Sequence, residues 1–374
     1  MVDQARILNE FLELVKVDSI SGREAAIRDV LKAKLEALGM EIYEDEAGRS
    51  LGSQSGNLMA WMEGDVGPSV FFCAHMDTVE PGLGISPLVE AGAVRSNGNT
   101  ILGSDDKAGL TAILEALRVI KEGGGPHPPI EVIFTVSEEQ GLMGSKHLDV
   151  NKIRSKFGYV LDASGSVGNI VIQGPTQNEI AIEVLGKAAH AGMNPEDGLN
   201  AIFLAGYAIS HLTVGRIDEE TTCNLGTIQG GQARNIVPDR VIIKGEARSL
   251  NPEKLEQITQ NLTGEFIRRV EEKGGQCRVK VAHLYPALRL DPEEQVVQIA
   301  VLAAEDMGKK AVLTSSGGGS DANILSGMGI KVANLGIGMK AVHTTDEHIL
   351  LEDLYDNARF VVKIIEQVGK IKLD

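Results

Sequence analysis

The sequence predicts an α/β protein in which a mixed, mostly parallel sheet carries helices on both faces, with a smaller α+β domain inserted into the larger one. Short apolar runs alternate with helical patterns towards both ends of the chain, which is typical of parallel strands joined by helices. The middle of the chain instead alternates polar and apolar residues, as strands with one wet face do. At 374 residues the chain is also longer than one hydrophobic core usually supports.

Two amphipathic helices open the chain. Apolar residues recur at helical spacing over residues 7–15 and again over residues 27–38. Ser21 and Glu24 have the spacing of a capping box. We therefore expect these two side chains to cap the second helix.

Three short apolar runs then predict buried strands, at residues 69–74, 130–136 and 158–161. A helix predicted over residues 108–120 lies between the first two. This alternation favours a parallel sheet with helices packed on its faces.

The middle of the chain predicts the inserted domain. Strands are expected near 178–185, 222–229, 239–248 and 276–283, and helices near 198–212 and 252–272. This βαββαβ order is that of a ferredoxin-like fold. The alternation of strand and helix returns from about residue 290. We therefore place the larger domain at residues 1–175 and 287–374 and the inserted domain at residues 176–286.

Composition argues against several classes of partner and location. The formal net charge of −16 disfavours both a nucleic-acid partner and an anionic membrane surface. The three cysteines are widely spaced and form no CxxC pair, so neither a disulfide framework nor a cysteine metal site is expected. The first residues lack the apolar stretch of a signal peptide, and no segment has the length of a membrane span. These features predict a cytoplasmic protein.

A histidine and an aspartate follow the first predicted strand. His75 and Asp77 are two residues apart, so in extended chain their side chains point to the same side. Open α/β sheets bind their ligands beyond the carboxyl ends of the strands, which is where this pair lies. The alternative is a strand-end histidine beside a solvated aspartate, and this pair alone does not decide between them.

Other candidate residues follow strands or occupy a glycine-flanked loop: Asp105 and Asp106, Glu138 and Glu139, Asp162, and His343. Adjacent aspartates repel each other unless a cation or hydrogen-bond donors neutralise them. Of two neighbouring glutamates, one can bind a metal while the other faces a metal-bound water as general base. Acids at a helix start and exposed strand-end glutamates are the plain alternatives. As a set, histidines and carboxylates at several strand ends suit zinc, or manganese and cobalt.

Longer motifs around these residues resemble the di-zinc metallopeptidase family that includes peptidase T, carboxypeptidase G2 and aminoacylase. The matching segments run in the family's order between residues 74 and 347: AHMDTV, GSDDKAGL, SEEQGLMGS, LDAS, GKAAHAGMNPEDGLNA, NIVPDR, GGGSDAN and AVHTTDE. The chain is most similar to the peptidase T-like members, which are tripeptide aminopeptidases, because LGSDDKAG, SEEQG and LDAS fit them best. The resemblance implies the zinc-peptidase fold, with the inserted domain as a lid of the dimerisation type.

The resemblance implies two divalent metal ions, zinc in the first place with cobalt or manganese as alternatives. His75 and Asp162 would bind one metal ion. Glu139 and His343 would bind the other, and Asp105 would bridge the pair.

Two further carboxylates would serve the reaction. Asp77 would orient His75. Glu138 would take a proton from the metal-bridging water and pass it to the leaving amine. The peptide bond between Asp105 and Asp106 is expected to be cis.

In the lid, the resemblance implies three substrate-binding residues. His190 would help to stabilise the tetrahedral oxyanion, and Asn235 and Arg248 would hold carbonyl or carboxylate groups of the substrate. Relatives often pair through the lid, so a homodimer formed in this way is a further expectation.

The expected activity is hydrolysis of the amide bond of a short peptide, as an aminopeptidase acting on tripeptides. An amidohydrolase acting on N-acyl amino acids or dipeptides is the first alternative. A catalytically silent binding protein on the same fold is the second. All seven ligand and reaction positions are filled by suitable residues, which argues against the silent protein.

Overall fold

A computed structural model of the protein describes residues 1–372. Its α-helices are α1 (Gln4–Val15), α2 (Ala25–Ala37), α3 (Ala47–Leu51), α4 (Ser104–Gly123), α5 (Met143–Lys146), α6 (Ala201–Ile209), α7 (Pro252–Glu272), α8 (Gln295–Asp306), α9 (Asp321–Gly327) and α10 (Leu351–Gly369). Single turns of 3-10 helix occur at Val150–Lys152 and Pro195–Asp197. Among residues 1–372, none of the helices combines the length and the apolar character that crossing a membrane requires.

The strands fall into three sheets. They are β1 (Glu41–Glu44), β2 (Leu58–Met62), β3 (Val70–His75), β4 (Leu88–Glu90), β5 (Ala93–Arg95), β6 (Ile130–Thr135), β7 (Phe157–Ala163), β8 (Asn169–Gly174), β9 (Thr176–Leu185), β10 (Gly215–Arg216), β11 (Thr221–Gly230), β12 (Arg240–Ser249), β13 (Gln276–Tyr285), β14 (Leu288–Arg289), β15 (Val312–Ser315), β16 (Lys331–Gly336), β17 (Met339–Lys340) and β18 (His348–Leu350).

The described chain forms two compact units. The larger unit contains Met1–Gln173, Arg289–Ser316 and the residues from Ser320 onward. The smaller unit contains Gly174–Leu288 together with Gly317–Gly319.

The larger unit is built on a nine-stranded sheet of order β1-β2-β6-β3-β7-β16-β8-β14, with β15 added beside β8. The central strands β6, β3, β7 and β16 are parallel to one another, whereas β1 and β2 pair antiparallel at one end. Every side chain of β3 and β6 is buried, so both faces of the sheet are covered at its centre. The predicted mixed, mostly parallel sheet is confirmed.

The parallel register decides where the functional side chains lie. His75, the last residue of β3, pairs with Thr135, the last residue of β6. On the other side of β3, Cys73 pairs with Val160 of β7, so the carboxyl ends of the three strands meet at one edge of the sheet. Helix α4 packs against β3 and β7 and begins at this edge.

The smaller unit is an antiparallel sheet of order β10-β11-β12-β9-β13 with two helices, α6 and α7. Alternating residues of β9 and β12 face these helices because one face of the sheet is buried. Its core consists of apolar side chains that include Ile180, Ile182, Leu204, Ile243 and Phe266. The elements follow the predicted order except that a two-residue strand, β10, precedes β11.

The predicted capping box of α2 is wrong. Helix α2 begins after Glu24, whose side chain makes no capping bond to the helix. The Ser21 hydroxyl donates instead to Asp77 Oδ2 at 2.6 Å, and the Glu24 carboxylate binds Ser137. Both side chains bind residues that are distant in the sequence, Asp77 and Ser137, instead of the first turn of the helix.

Candidate metal centre

The carboxyl edge of the central sheet gathers the predicted metal ligands. His75 ends β3, Asp162 is the second-last residue of β7, and Glu139 follows β6. Asp105 lies at the start of α4, where its backbone departs from helical geometry. His343 lies in the loop between β17 and β18 with φ of +63°. The structure therefore brings all five residues to one place from five separate parts of the chain.

The carboxylate of Asp105 lies between the two histidines. His75 Nε2 is 2.9 Å from Asp105 Oδ1, and His343 Nε2 is 3.2 Å from Asp105 Oδ2. Each oxygen of this carboxylate thus faces a different histidine. A ligand that bridges two metal ions needs this arrangement.

One further carboxylate stands beside each histidine. Glu139 Oε1 is 2.9 Å from His343 Nε2, and Asp162 Oδ1 is 3.9 Å from His75 Nε2. Ligand atoms of His75, Asp105 and Glu139 all lie within 4.8 Å of one another. The five side chains therefore form two histidine–carboxylate pairs that share one aspartate.

The electrostatics of this cluster fit bound cations. Burial raises the pKa of Asp162 well above its usual range, and the neighbouring Asp105 carboxylate raises it further. Burial also raises the pKa of Glu138, and the Asp162 carboxylate adds to the shift. Buried like charges are stabilised by cations, and a set of imidazoles and carboxylates suits zinc. The residues present therefore fit a pair of divalent metal ions.

The histidines hold protons when no metal is bound. Hydrogen bonds to Asp105 and then Glu139 raise the pKa of His343 from 6.5 to about 10. Burial opposes the charged form of His75, but the Asp105 and Asp77 carboxylates outweigh it and raise its pKa well above the usual value. A metal ion binds only the neutral imidazole, so each histidine must lose its proton before it can act as a ligand.

We predict that metal binding to the metal-free protein releases protons and becomes tighter as the pH rises. The pKa of His343 is about 10, so its imidazole is charged at lower pH. The free energy needed to remove this proton increases as the pH falls. Affinity should rise about tenfold per pH unit for each proton displaced, between about pH 6 and pH 9. Calorimetric titration with zinc in buffers of different ionisation enthalpy measures this release. Heats that do not depend on the buffer would contradict the prediction.

Asp77 contacts His75 differently from the way the resemblance implies. His75 Nδ1 lies 2.9 Å from the backbone oxygen of Asp77 and 3.6 Å from its carboxylate. The carboxylate instead accepts the backbone N–H groups of Glu138 (2.9 Å) and Glu139 (3.2 Å). Asp77 therefore orients His75 mainly through its main chain, while its side chain fixes the turn that carries the two glutamates.

Asp106 ties this edge of the sheet to α4. Its peptide bond with Asp105 is cis, as the resemblance implies. The fully buried carboxylate of Asp106 accepts the backbone N–H of His75 at 3.2 Å and that of Gly109 at 3.1 Å. Asp106 thus stabilises the positions of His75 and Asp105, and its carboxylate binds backbone N–H groups rather than serving as one of the five proposed metal ligands.

Glu347 joins the loop that carries His343 to the segment that carries Asp105, and the sequence patterns do not single it out. Its fully buried carboxylate accepts four hydrogen bonds of 2.6–3.1 Å from consecutive residues 102–105, the last of which is Asp105. Glu347 is only four residues after His343. The motif AVHTTDE contains this glutamate, but nothing local indicates which loop it binds.

The predicted substrate residues lie in the smaller unit. His190 is exposed, and its Nδ1 accepts the N–H groups of Gly192 (3.2 Å) and Met193 (3.1 Å). Because Nδ1 accepts hydrogen bonds, the neutral ring carries its proton on Nε2, which is left as a donor. Residue 235 lies beside this loop, since the Ala191 N–H donates to its backbone oxygen at 3.0 Å.

Arg248 is half-buried in β12. Its guanidinium forms a two-bond pair with the Glu246 carboxylate, Nε to Oε1 at 2.9 Å and Nη2 to Oε2 at 3.0 Å. A guanidinium has five N–H donors, so this pair leaves donors for a further carboxylate or carbonyl group.

This sheet edge collects two histidines and two further carboxylates around a shared aspartate, a set of ligands that suits a two-metal hydrolase. The model of peptidase family M20/M25/M40 matches residues 71–367. The chain belongs to this peptidase family, which confirms the resemblance.

Relatives match over the whole length of the chain. The crystal structure of aminopeptidase PepT from Bacillus cereus is 46% identical, with a TM-score of 0.91 over 99% of this chain and 100% of that one. A tripeptidase from Staphylococcus aureus is 42% identical, with a TM-score of 0.95 over the same shares. The uncharacterized protein YqjE of Bacillus subtilis is 46% identical over 99% of this chain and 100% of its own.

Proposed function

We propose that this peptidase is a two-metal aminopeptidase that releases the N-terminal residue of tripeptides. The observation that carries the proposal is the carboxylate of Asp105, which presents one oxygen to each of two histidines. The aminopeptidase and the tripeptidase similar to this chain, at 46% and 42% identity, support the choice of substrate. A related amidohydrolase acting on N-acyl amino acids or dipeptides is the alternative.

Five residues would hold the two ions, with zinc as the first choice and cobalt or manganese as alternatives: His75, Asp105, Glu139, Asp162 and His343. When bound, the ions would activate a water molecule and polarise the scissile carbonyl group.

Glu138 is the proposed general base. It would accept the proton of the attacking water and deliver it to the amine nitrogen as the C–N bond breaks, leaving a carboxylate and a free amine. A carboxyl group whose pKa is raised by burial suits both steps, because it takes up a proton more readily than an exposed carboxylate does and can then return it. Asp77 would hold this side chain in place through the backbone N–H of Glu138.

The proposed catalytic domain is formed by residues 1–175 and 287–374, and the proposed lid is formed by residues 176–286. In the lid, His190 is proposed to donate its Nε2–H to the developing oxyanion. Asn235 and Arg248 are proposed to bind carbonyl or carboxylate groups of the peptide.

Pairing of two copies through the smaller unit is a further part of the proposal. Strand β10 pairs with Thr222 and Cys223 of β11, and the Ile217 N–H donates to the Thr221 oxygen, so among residues 1–372 the stretch 224–230 has no strand paired along its outer edge. Apolar side chains of the smaller unit are exposed, with Phe203 of α6 at 62% and Ile228 of β11 at 53%. Open strand edges and exposed apolar side chains favour association. Sedimentation measurements of the mass in solution test this, and a monomer at all concentrations would contradict it.

A cytoplasmic location is proposed from the cysteines. Cys73, Cys223 and Cys277 are all free, and the first two are buried. Free cysteines are the rule in a reducing compartment.

A panel of substrates tests the proposed specificity. A tripeptide with a free amine should be cleaved to an amino acid and a dipeptide. The same tripeptide with an acetylated amine should be cleaved at least about 100-fold more slowly, because a site that binds the amine loses that contact. Product analysis by mass spectrometry measures both rates. Faster cleavage of N-acetyl amino acids than of tripeptides would favour the amidohydrolase.

A further inference from the structure

Glu24 is a fully buried carboxylate that the proposed reaction does not use. It accepts hydrogen bonds from the Gly22 N–H (2.8 Å), the Ser53 hydroxyl (2.8 Å), and both the N–H (3.1 Å) and the hydroxyl (3.0 Å) of Ser137. Burying a carboxylate costs free energy unless donors satisfy it. Two of its four donors belong to Ser137, the residue directly before Glu138.

Ser137 has a backbone conformation that needs support. Its φ is +50°, in the left-handed region that residues with a side chain rarely adopt. The Glu24 carboxylate accepts hydrogen bonds from the N–H and the hydroxyl of Ser137. The carbonyl oxygen of Ser137 accepts the N–H of Met143 at 3.0 Å. The main chain of Ser137 is therefore held by hydrogen bonds at both its N–H and its carbonyl group.

The direction in which Glu138 leaves the main chain depends on this conformation. A change of the Ser137 backbone from left-handed to extended would redirect the chain at Glu138, whereas Glu139 is additionally held by the bond from its N–H to the Asp77 carboxylate. Ser21, three residues before Glu24, also supports this loop. Its hydroxyl donates to the Asp77 carboxylate, and that carboxylate accepts the N–H of Glu138. The turn formed by residues 21–24 thus supports the loop at Ser137 directly and at Glu138 through Asp77.

We propose that Glu24 is a positioning residue for Glu138 and acts through the left-handed backbone of Ser137. It does not touch the substrate, and its effect is on the placement of the carboxylate that moves the proton. The inference rests on the proposed role of Glu138 as general base.

The first test compares Glu24→Ala with Glu131→Ala. Glu131 is a suitable control because it is a buried glutamate that also binds backbone N–H groups, those of Arg154 and Ser155, near the other end of β6. Glu24→Ala should lower kcat about 10- to 100-fold while KM and bound metal stay unchanged, because a misplaced catalytic group costs rate rather than binding. Glu131→Ala should leave kcat unchanged. Glu24→Gln should keep most of kcat, since its amide oxygen still accepts from Ser137.

The second test is a rescue. Glycine adopts positive φ without the cost of a side chain, so Ser137→Gly should restore part of the kcat lost in Glu24→Ala. A purely structural role of Glu24 predicts no such recovery. An unchanged kcat in Glu24→Ala, or no recovery in the double variant, overturns the proposal. If Glu24→Ala does not fold, Ser137→Ala must still lower kcat several-fold, and an unchanged kcat there overturns it as well.

Glu138→Gln distinguishes a failure of the proposed general base from a failure of the positioning role of Glu24. If Glu138→Gln keeps its turnover, the proposed base is wrong and the positioning role is overturned with it. If Glu138→Gln loses turnover while Glu24→Ala does not, only the positioning role is overturned.

Discussion

Replacement of Glu138 by glutamine is expected to lower kcat by about 10²- to 10⁴-fold while both metal ions stay bound. Glutamine has nearly the same size and keeps the hydrogen-bonding shape of the side chain, but its amide cannot take up a proton. Glu138 is not among the five proposed ligands, and Asp77 holds its main chain rather than its carboxylate. The loss should therefore fall on kcat, with little change in KM.

The measurement pairs steady-state kinetics with metal analysis of the same preparation. Glu131→Gln controls for the loss of a buried charge, because Glu131 is also buried and lies in β6, the strand that precedes the loop of Glu138. Turnover above about a tenth of the wild-type rate would exclude Glu138 as the base, because general-base catalysis is typically worth at least 10²-fold.

Replacement of Asp105 by alanine is expected to remove activity by emptying the metal centre. Its two oxygens face His75 and His343, at 2.9 and 3.2 Å, so one substitution removes a ligand from both sites. Loss of a residue that only supports a ligand already lowers metal affinity about 10- to 100-fold, and loss of a shared ligand should exceed that. The variant should hold fewer than two ions per chain after dialysis.

Asp162→Ala provides the comparison for Asp105→Ala. Asp162 stands only beside His75, at 3.9 Å, so its loss should weaken one ion and leave the other bound between Glu139 and His343. Metal analysis with competing chelators at graded concentrations distinguishes the two variants. Two tightly held ions in Asp105→Ala would show that this carboxylate is not the shared ligand.

The strand ends could be predicted because their signals are local. The apolar run at 69–74 becomes β3 (Val70–His75), and the run at 130–136 becomes β6 (Ile130–Thr135), each within one residue of its predicted bounds. A short apolar run followed by a polar residue is visible without knowledge of the fold. Parallel pairing then makes the ends of such strands meet.

Smaller elements and distant partners could not be predicted. The sheet formed by β17, β18, β5 and β4 consists of strands of two or three residues, too short to show a period. Glu24 and Ser137 are 113 residues apart, so the local spacing of Ser21 and Glu24 predicted a cap that the tertiary partner replaces. Likewise, the main-chain contact of Asp77 with His75 depends on the local path of the loop, which a motif does not give.

Because Glu347 is bound to residues 102–105, the number of residues between His343 and Glu347 sets how far His343 lies from Asp105. The Glu347 carboxylate holds residues 102–105 on one side, and on the other it is separated from His343 by three residues, 344–346. Asp346 is exposed, so its identity can change at little cost, whereas the Thr344 hydroxyl donates to the Ala341 oxygen at 2.7 Å and accepts the Asp346 N–H at 3.2 Å. The number of residues in this segment cannot change, because one residue more or fewer would carry His343 away from Asp105. Variation in this segment should therefore be confined to substitutions, and any graft or redesign of the loop has to keep its length.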